Sequence, residues 1–373
     1  MKNFLSLAFC SALALAAVQG PARAADPIQI GVIANLTGSA VKTSVQMTRG
    51  VELAADAINA AGGIDGRPVK LIVEDSENRA QEALNAANKL YNVDKVPAAI
   101  MFGGSGLMIP VAELAKEKGR VLVNTSSSSP KLGNYPGTLF SILPLDDIVG
   151  KELGLLIADS GAKTAAIVVP NSTFGLGVAE AAAAAFESKG GKIVKKVAFT
   201  EGQPDYRADI QPVVPVKPDV IITAGYGDDS RAMLKAAREL GITAKWYAAY
   251  PSILELENKA FVEGKLFGVD NGGYAQPAGK AVADKYGAKF NGTADLMAHV
   301  YYGYDALMVI AAAIKKAGSA EPAAIAKALP EVVSSYDGAT GKIVWDARGQ
   351  RVSPPIDVIE YKGGDFVTTA TRN

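Results

Sequence analysis

Residues 28–75 decide the architecture: IQIGVIANLTGSAVKTSVQMTRGVELAADAINAAGGIDGRPVKLIVED. Ile28 to Ile33 read as a buried strand, and the polar loop Ala34 to Ser39 follows it. Val51, Ala54, Ala55 and Ile58 then recur at helical spacing. Ala61-Gly62-Gly63 ends that helix, because glycine accepts the left-handed cap conformation. Val69 to Val73 is the next strand. Beyond this stretch, Gln81 to Leu90 is helical and Ala98 to Phe102 is a third strand. The order βαβαβ calls for a parallel sheet covered by helices.

The same order returns farther along. Thr164 to Val169 is a strand, Asn171-Ser172-Thr173-Phe174-Gly175 its loop, and Val178 to Ser188 an alanine-rich helix ended by Gly190-Gly191. Ile193 to Phe199 is a strand, a helical segment follows Asp205, and Val220 to Thr223 is the next strand. Two blocks of similar length, each with a Gly-Gly stop after its first helix, predict two similar α/β lobes rather than the short periods of a solenoid. Ligands of open parallel sheets bind beyond the carboxyl ends of the strands. Two such sheets facing each other make a cleft.

The amino terminus predicts export. Lys2 precedes an apolar stretch, Phe4 to Val18, of the length of a signal-peptide core, and Ala22-Arg23-Ala24 fits a small-x-small cleavage site with the cut after Ala24. The run is too short to span a bilayer, which takes about 20 apolar residues. The only cysteine, Cys10, lies inside this segment and follows the bulky Phe9, so it does not read as a lipid-modified cysteine, and the processed chain would have no disulfide. About 349 residues remain, enough for two domains. Charged residues make up 20 % and hydrophobic residues 49 %, as in a folded globular chain, and the formal net charge is zero. That balance argues against nucleic acid or an anionic membrane as the main partner. No later segment has 18 unbroken apolar residues, so the processed chain is expected to be soluble.

Enzyme chemistry finds little material. A single histidine, His299, rules out a multi-histidine metal site, and no cysteine ligand set exists. His299 sits at the start of a helix, within Leu296 to Tyr304, and reads as a packing or surface residue. Ser105 has no Gly-x-Ser-x-Gly elbow around it, since Leu107 stands two residues on. Gly175-Leu176-Gly177 and Gly225-Tyr226-Gly227 do not complete a dinucleotide fingerprint, and no Walker loop occurs. The expectation is a protein that is not an enzyme and uses no cofactor or metal.

Two polar loops do carry chemistry. Strand Ala98 to Phe102 runs into Gly103-Gly104-Ser105-Gly106, ahead of a helix expected to begin near Ile109-Pro110. Glycines let a ligand approach the backbone, and free amides at a helix start favour a carboxylate. The same pattern also fits an ordinary strand-to-helix turn. The second loop, Asn124-Thr125-Ser126-Ser127-Ser128-Ser129-Pro130, follows strand Arg120 to Val123. Its hydroxyls and carbonyls can fix a polar head group, although a serine run is also the composition of a solvated linker.

These loops lie within a wider resemblance that covers nearly the whole processed chain. Ile30-Gly31-Val32 with Leu36-Thr37-Gly38, Gly50-Val51-Glu52-Leu53-Ala54, Ile58 to Gly66, Val73-Glu74-Asp75 and Ala87-Asn88-Lys89-Leu90 carry it, together with Tyr304-Asp305-Ala306 and Gly338 to Asp346 with Gly349. In this order the chain resembles the type I periplasmic solute-binding proteins of the leucine/isoleucine/valine class. The resemblance implies two Rossmann-like lobes joined by three crossovers, here placed near Phe140-Ser141, Asp270-Gly272 and Ser335-Tyr336. The lobes would then comprise residues 25–140 plus 272–335 and residues 141–271 plus 336–373. It implies a periplasmic protein that delivers a hydrophobic amino acid or related small carboxylate to the permease subunits of an ABC importer, acting as a monomer and closing around its ligand. In such relatives the ligand carboxylate meets the position of Ser105 and main-chain groups at Ser126. The amino group meets the position of Ser128 and an acidic residue of the second lobe, and Thr43, Phe174 and Tyr226 line the same cleft.

One departure bears on the ligand. The second-lobe acidic position aligns with Tyr250, and a buried ammonium without a counter-charge is costly. Either Asp228 or Asp229 substitutes from the neighbouring loop, or the ligand is an aromatic or aliphatic acid lacking an amino group, which Phe174, Tyr226 and Tyr250 would suit. A sensor subunit of the same fold is the alternative to a transport role.

Overall fold

A computed structural model describes residues 26–38, 40–254, 262–271, 277–294, 297–352 and 354–372. The expected leader, its cleavage site, Cys10 and Gly272 of the second expected crossover lie outside the described residues.

The first half of the chain alternates as its hydrophobic pattern requires: β1 (Ile28–Ala34), α1 (Val41–Ala60), β2 (Val69–Asp75), α2 (Ala80–Asn88), β3 (Ala98–Met101), α3 (Ser105–Glu117), β4 (Val121–Asn124) and β5 (Leu139–Ser141). These five strands are parallel, in the order β2-β1-β3-β4-β5. A second series follows: α4 (Asp146–Asp159), β6 (Thr164–Pro170), α5 (Thr173–Ser188), β7 (Lys192–Phe199), the single turn α6 (Arg207–Ile210), β8 (Val220–Thr223), α7 (Gly227–Glu239), β9 (Lys245–Ala249) and β10 (Leu266–Asn271). Its parallel strands run β7-β6-β8-β9-β10, the same order as the first sheet. The chain then forms α8 (Pro277–Phe290), α9 (Met297–Ala317), α10 (Pro322–Val333) and the short pair β11 (Asp337–Gly338) and β12 (Gly341–Lys342). It ends in the hairpin β13 (Ile356–Lys362) and β14 (Asp365–Arg372), which joins β10 antiparallel and covers that edge of the second sheet. Central strands β3, β4 and β8 are buried at every residue, as parallel strands covered on both faces must be.

The expected helix start at Ile109-Pro110 is corrected. α3 begins four residues earlier, at Ser105, with Gly104 as its N-cap, and Pro110 lies inside the helix. The glycines open the helix, and the proline does not mark its first turn.

Each lobe is closed by a pair of helices whose main chains touch. A Cβ on Gly303 of α9 would stand 2.1 Å from the carbonyl oxygen of Met47, and one on Gly50 of α1 would stand 2.0 Å from that of Val300. Only glycine permits that approach. It brings α9, apolar along most of its length, against α1, and Tyr302, Ala306, Leu307 and Ile310 join the core of the first sheet.

The third crossover is also corrected. Residues 337–351 stay with the first lobe, because their polar groups are bonded to it. The Asp305 carboxylate accepts the amides of Ala339 and Thr340, both at 2.8 Å, and the hydroxyl of Tyr336 at 2.7 Å. Gln350 accepts from the Ser141 hydroxyl at 2.6 Å, and the buried Arg351 donates to the carbonyl of Ile142 at 2.8 Å. Ile343 packs in the first core. The chain therefore passes to the second sheet between Arg351 and Ile356, not at Ser335-Tyr336. The first passage likewise falls at residues 142–145, just after the expected Phe140-Ser141, since Ile142 and Leu143 still pack on the first sheet.

Asp146 opens α4 at that passage. It is wholly buried, its amide donates to the Ser128 carbonyl, and neither carboxylate oxygen completes a hydrogen bond among the described residues. Loss of hydration raises its pKa to about 8, tempered by the nearby Ser128 hydroxyl and reinforced by Asp147.

Two outcomes follow from this packing. Gly303→Ala must push α9 off α1 and should cost about 1–3 kcal/mol, read as a lower denaturant midpoint. For Asp146, the folded pKa lies above the unfolded one, so the folded state holds a proton that the unfolded chain releases as pH rises. Stability then declines between roughly pH 4 and pH 8. The melting temperature of Asp146→Asn should fall less over that interval than that of the wild type. Parallel curves would show that Asp146 is ordinarily ionised.

Candidate functional site

The carboxyl ends of both sheets border one cavity of about 350 Å³. In each lobe the strand order reverses beside the first strand, between β1 and β3 and between β6 and β8, and the loops leaving these strands diverge there to open a crevice. Asn35, Gly103 and Gly104 leave the first sheet at that point. Phe174, Tyr226 and Gly227 leave the second. α9 adds Ala298, His299 and Tyr302 to the first-lobe side.

The first-lobe wall is neutral and rich in hydrogen-bonding groups. Ser126 and Ser127 both donate their hydroxyls to the Gly103 carbonyl, at 2.9 and 2.6 Å, and the Gly103 amide donates back to the Ser126 hydroxyl at 2.8 Å. Asn124, fully buried, accepts the amides of Ser126 and Ser127 through its side-chain oxygen. This network holds the serine loop against the start of α3, where the amides of Ser105 and Gly106 precede the first acceptor within the helix. Ser128 borders the cavity, and its hydroxyl stands beside Asp146 and Tyr250.

The second-lobe wall has the opposite character. Glu201, Asp228, Asp229 and Asp270 border the cavity, and no lysine or arginine does among the described residues. Phe174 lies in the first turn of α5, which Ser172 caps by accepting the Gly175 amide at 3.1 Å. Its ring packs against Tyr226 at 5.1 Å and Tyr250 at 6.1 Å between centroids. Tyr250 has φ of 54°, a left-handed conformation unusual for an aromatic residue, held by its amide on the Val269 carbonyl at 2.8 Å. Burial raises the Tyr250 pKa well above its ordinary value, with Asp146 the next contributor, so the phenol is neutral.

Six of the seven residues singled out in the sequence meet here: Thr43, Ser126, Ser128, Phe174, Tyr226 and Tyr250. Ser105 does not border the cavity. It is 2 % exposed and its hydroxyl accepts the Ser129 amide at 3.2 Å, so it ties the serine loop to α3. The two aspartates offered as substitutes for the missing acid are both engaged. Asp228 pairs with Arg231 and is 93 % exposed, while Asp229 accepts from the Tyr206 hydroxyl and the Gly202 amide.

Sequence reasoning missed three features. His299, read as a packing or surface residue, packs edge-on against Phe102 and Tyr302 and also faces the cavity. Burial lowers its pKa to about 4, leaving it neutral. Asp270 and Asp146 carried no local motif. Only their position at the ends of β10 and of the first passage brings them to the cleft region.

The periplasmic binding protein family pattern matches residues 27–365. An amino acid binding protein of Pseudomonas aeruginosa is 30 % identical, covering 98 % of this chain and 96 % of that one. The leucine-, isoleucine-, valine-, threonine- and alanine-binding protein of the same organism is 25 % identical, covering 94 % of each chain. The crystal structure of a leucine binding protein from Thermotoga maritima superposes with a TM-score of 0.85 at 25 % identity, covering 93 % of this chain and 99 % of that one. With two lobes of matching strand order around a shared cleft, and a family pattern that spans almost all of the described residues, this chain belongs to the periplasmic binding protein family.

Proposed function

We propose that this protein is the substrate-binding component of an ABC importer and captures a hydrophobic amino acid in the interlobe cleft. The carrying observation is the polarity of the cavity. Helix-start amides and hydroxyls stand on one wall, and carboxylates stand on the other together with the rings of Phe174, Tyr226 and Tyr250. A zwitterion with an apolar side chain matches all three. A volume of about 350 Å³ suits a small molecule, and the relatives' names point to the same ligands.

In this reading the ligand carboxylate rests on the main chain at Gly103 to Ser105, and the Ser128 hydroxyl accepts from the ligand ammonium. Ser126 and Ser105 hold these groups in place. The apolar side chain lies against the rings. The three passages between lobes act as hinges that let the walls close on the ligand. The protein is exported to the periplasm by its leader, works as a monomer, and hands its cargo to the permease subunits. His299, the single histidine, is neutral and packed among rings.

Calorimetry should show saturable binding of leucine, isoleucine, valine or phenylalanine, and small-angle scattering should show a smaller radius with ligand present. An unchanged radius at saturation would count against closure. Ser128→Ala removes a hydrogen bond to a charged group, worth roughly 1.5–3 kcal/mol, and should weaken binding about ten- to a hundred-fold. Ser105→Ala should cost less, because its side chain does not border the cavity.

A further inference from the structure

We infer that the carboxylate of Asp270, at the end of β10, is the group that pairs with a cationic centre of the ligand and so makes the cleft selective for amino acids over the corresponding deaminated acids. The inference rests on the amino-acid reading above and names the residue and the discrimination that this reading leaves open.

The choice follows from comparing the carboxylates around the cavity. Asp228 is almost fully exposed and already faces Arg231. Asp229 receives the Tyr206 hydroxyl and the Gly202 amide on a single oxygen, and it stands in the first turn of α7, not on the strand that runs beside Tyr250. Glu201 stands on the rim, exposed. Asp146 is wholly buried and does not border the cavity. Asp270 is different in kind. It borders the cavity, and two neutral donors orient it: the Ser252 hydroxyl on one oxygen at 2.6 Å and the Asn271 amide on the other at 2.8 Å. A carboxylate has about four acceptor sites, so both oxygens keep capacity toward the cavity.

Among the described residues, no lysine or arginine borders the cavity beside Asp270. Asp357 stands opposite it across β10 and β13 and adds repulsion. Loss of hydration is the main influence, and together these raise its pKa to about 6, so it is still mostly ionised near neutral pH. A part-buried carboxylate at the edge of a cavity is stabilised by an entering cation more than one in water, because the surrounding dielectric is lower and its hydration is reduced.

Position supports the same assignment. β9 and β10 are adjacent parallel strands, with Ala249 opposite Val269, so Asp270 lies beside Tyr250 at the sheet's carboxyl edge. Asp270 acts electrostatically on Tyr250, and Ser252, which orients Asp270, follows Tyr250 by two residues. Where the aligned acidic position carries the uncharged Tyr250, the neighbouring strand brings a carboxylate to the same wall. The ring of Tyr250 then lies between the ligand's apolar part and the charge.

The test uses the full processed chain, with leucine and phenylalanine and their deaminated analogues 4-methylpentanoate and 3-phenylpropanoate as probes in calorimetry. The wild type should prefer the amino acids. Asp270→Asn should weaken amino-acid binding by about ten-fold or more, as expected for loss of a charge-assisted contact, and should leave the deaminated acids bound as well as before or better. Asp270→Glu, which keeps the charge, should retain the preference and shows that the amide variant has not simply misfolded. Unchanged amino-acid affinity in Asp270→Asn overturns the assignment. So does a loss in both variants that affects both probe classes alike, which marks a structural role. Wild-type preference for the deaminated acids overturns it too, while leaving solute capture standing. If the wild type binds no probe of either class, the amino-acid reading itself fails and the role of Asp270 falls with it.

Discussion

The contact between α1 and α9 joins residues 41–60 to residues 297–317 across almost the whole chain, and it depends on two glycines at which main chain meets main chain. Without it the first lobe would lack the helix that completes the core around β1, β3 and β4. The return of the chain after the second sheet would then have no anchor. The second lobe uses the same device, since a Cβ on Gly154 of α4 would stand 2.3 Å from the Ala182 carbonyl of α5. Close helix pairs leave little room for adjustment within a lobe. Movement of one lobe against the other, as the proposed closure requires, would fall at the passages between them.

The same rigidity explains how a cleft can have walls of opposite character. Each wall is the carboxyl edge of a different sheet, so its residues answer to a different local network. On the first lobe, Asn124 and the serine hydroxyls spend their bonds on the Gly103 loop and keep its shape. On the second, the carboxylates stand at strand ends and in the first turn of α7, where helix-start amides favour negative charge. In the proposed reading, a ligand with both charges would meet complementary groups on both sides when the lobes come together.

Much of this was legible in the residues themselves. Apolar runs, Gly-Gly stops and their repetition predicted two parallel α/β lobes, because burial on both faces of a strand and the cap conformation of glycine are local requirements. Six of the seven residues singled out meet in the cleft, since the loops after parallel strands lead there whatever the rest of the chain does. Ser105 stands on the expected loop but does not border the cavity. Its hydroxyl accepts from Ser129, a partner 24 residues away that no local pattern reveals. The third crossover was placed too early for a similar reason. Residues 337–351 look like the start of a new unit, yet Asp305 and Ser141 hold them to the first lobe through bonds between distant segments.

By itself, then, the sequence determined the fold class, the position of the cleft and most of its lining, because hydrophobic periodicity and glycine-bearing turns act over a few residues. The tertiary structure alone decided the electrostatics. Asp146, Asp270 and His299 sit in no motif, and each takes its character from burial: two carboxyls raised and one imidazole lowered by lost hydration. Hydration is lost only when segments remote in the chain pack over a group. For that reason the charge state of these groups is a property of the assembled lobes, and the residue types at those positions could not disclose it.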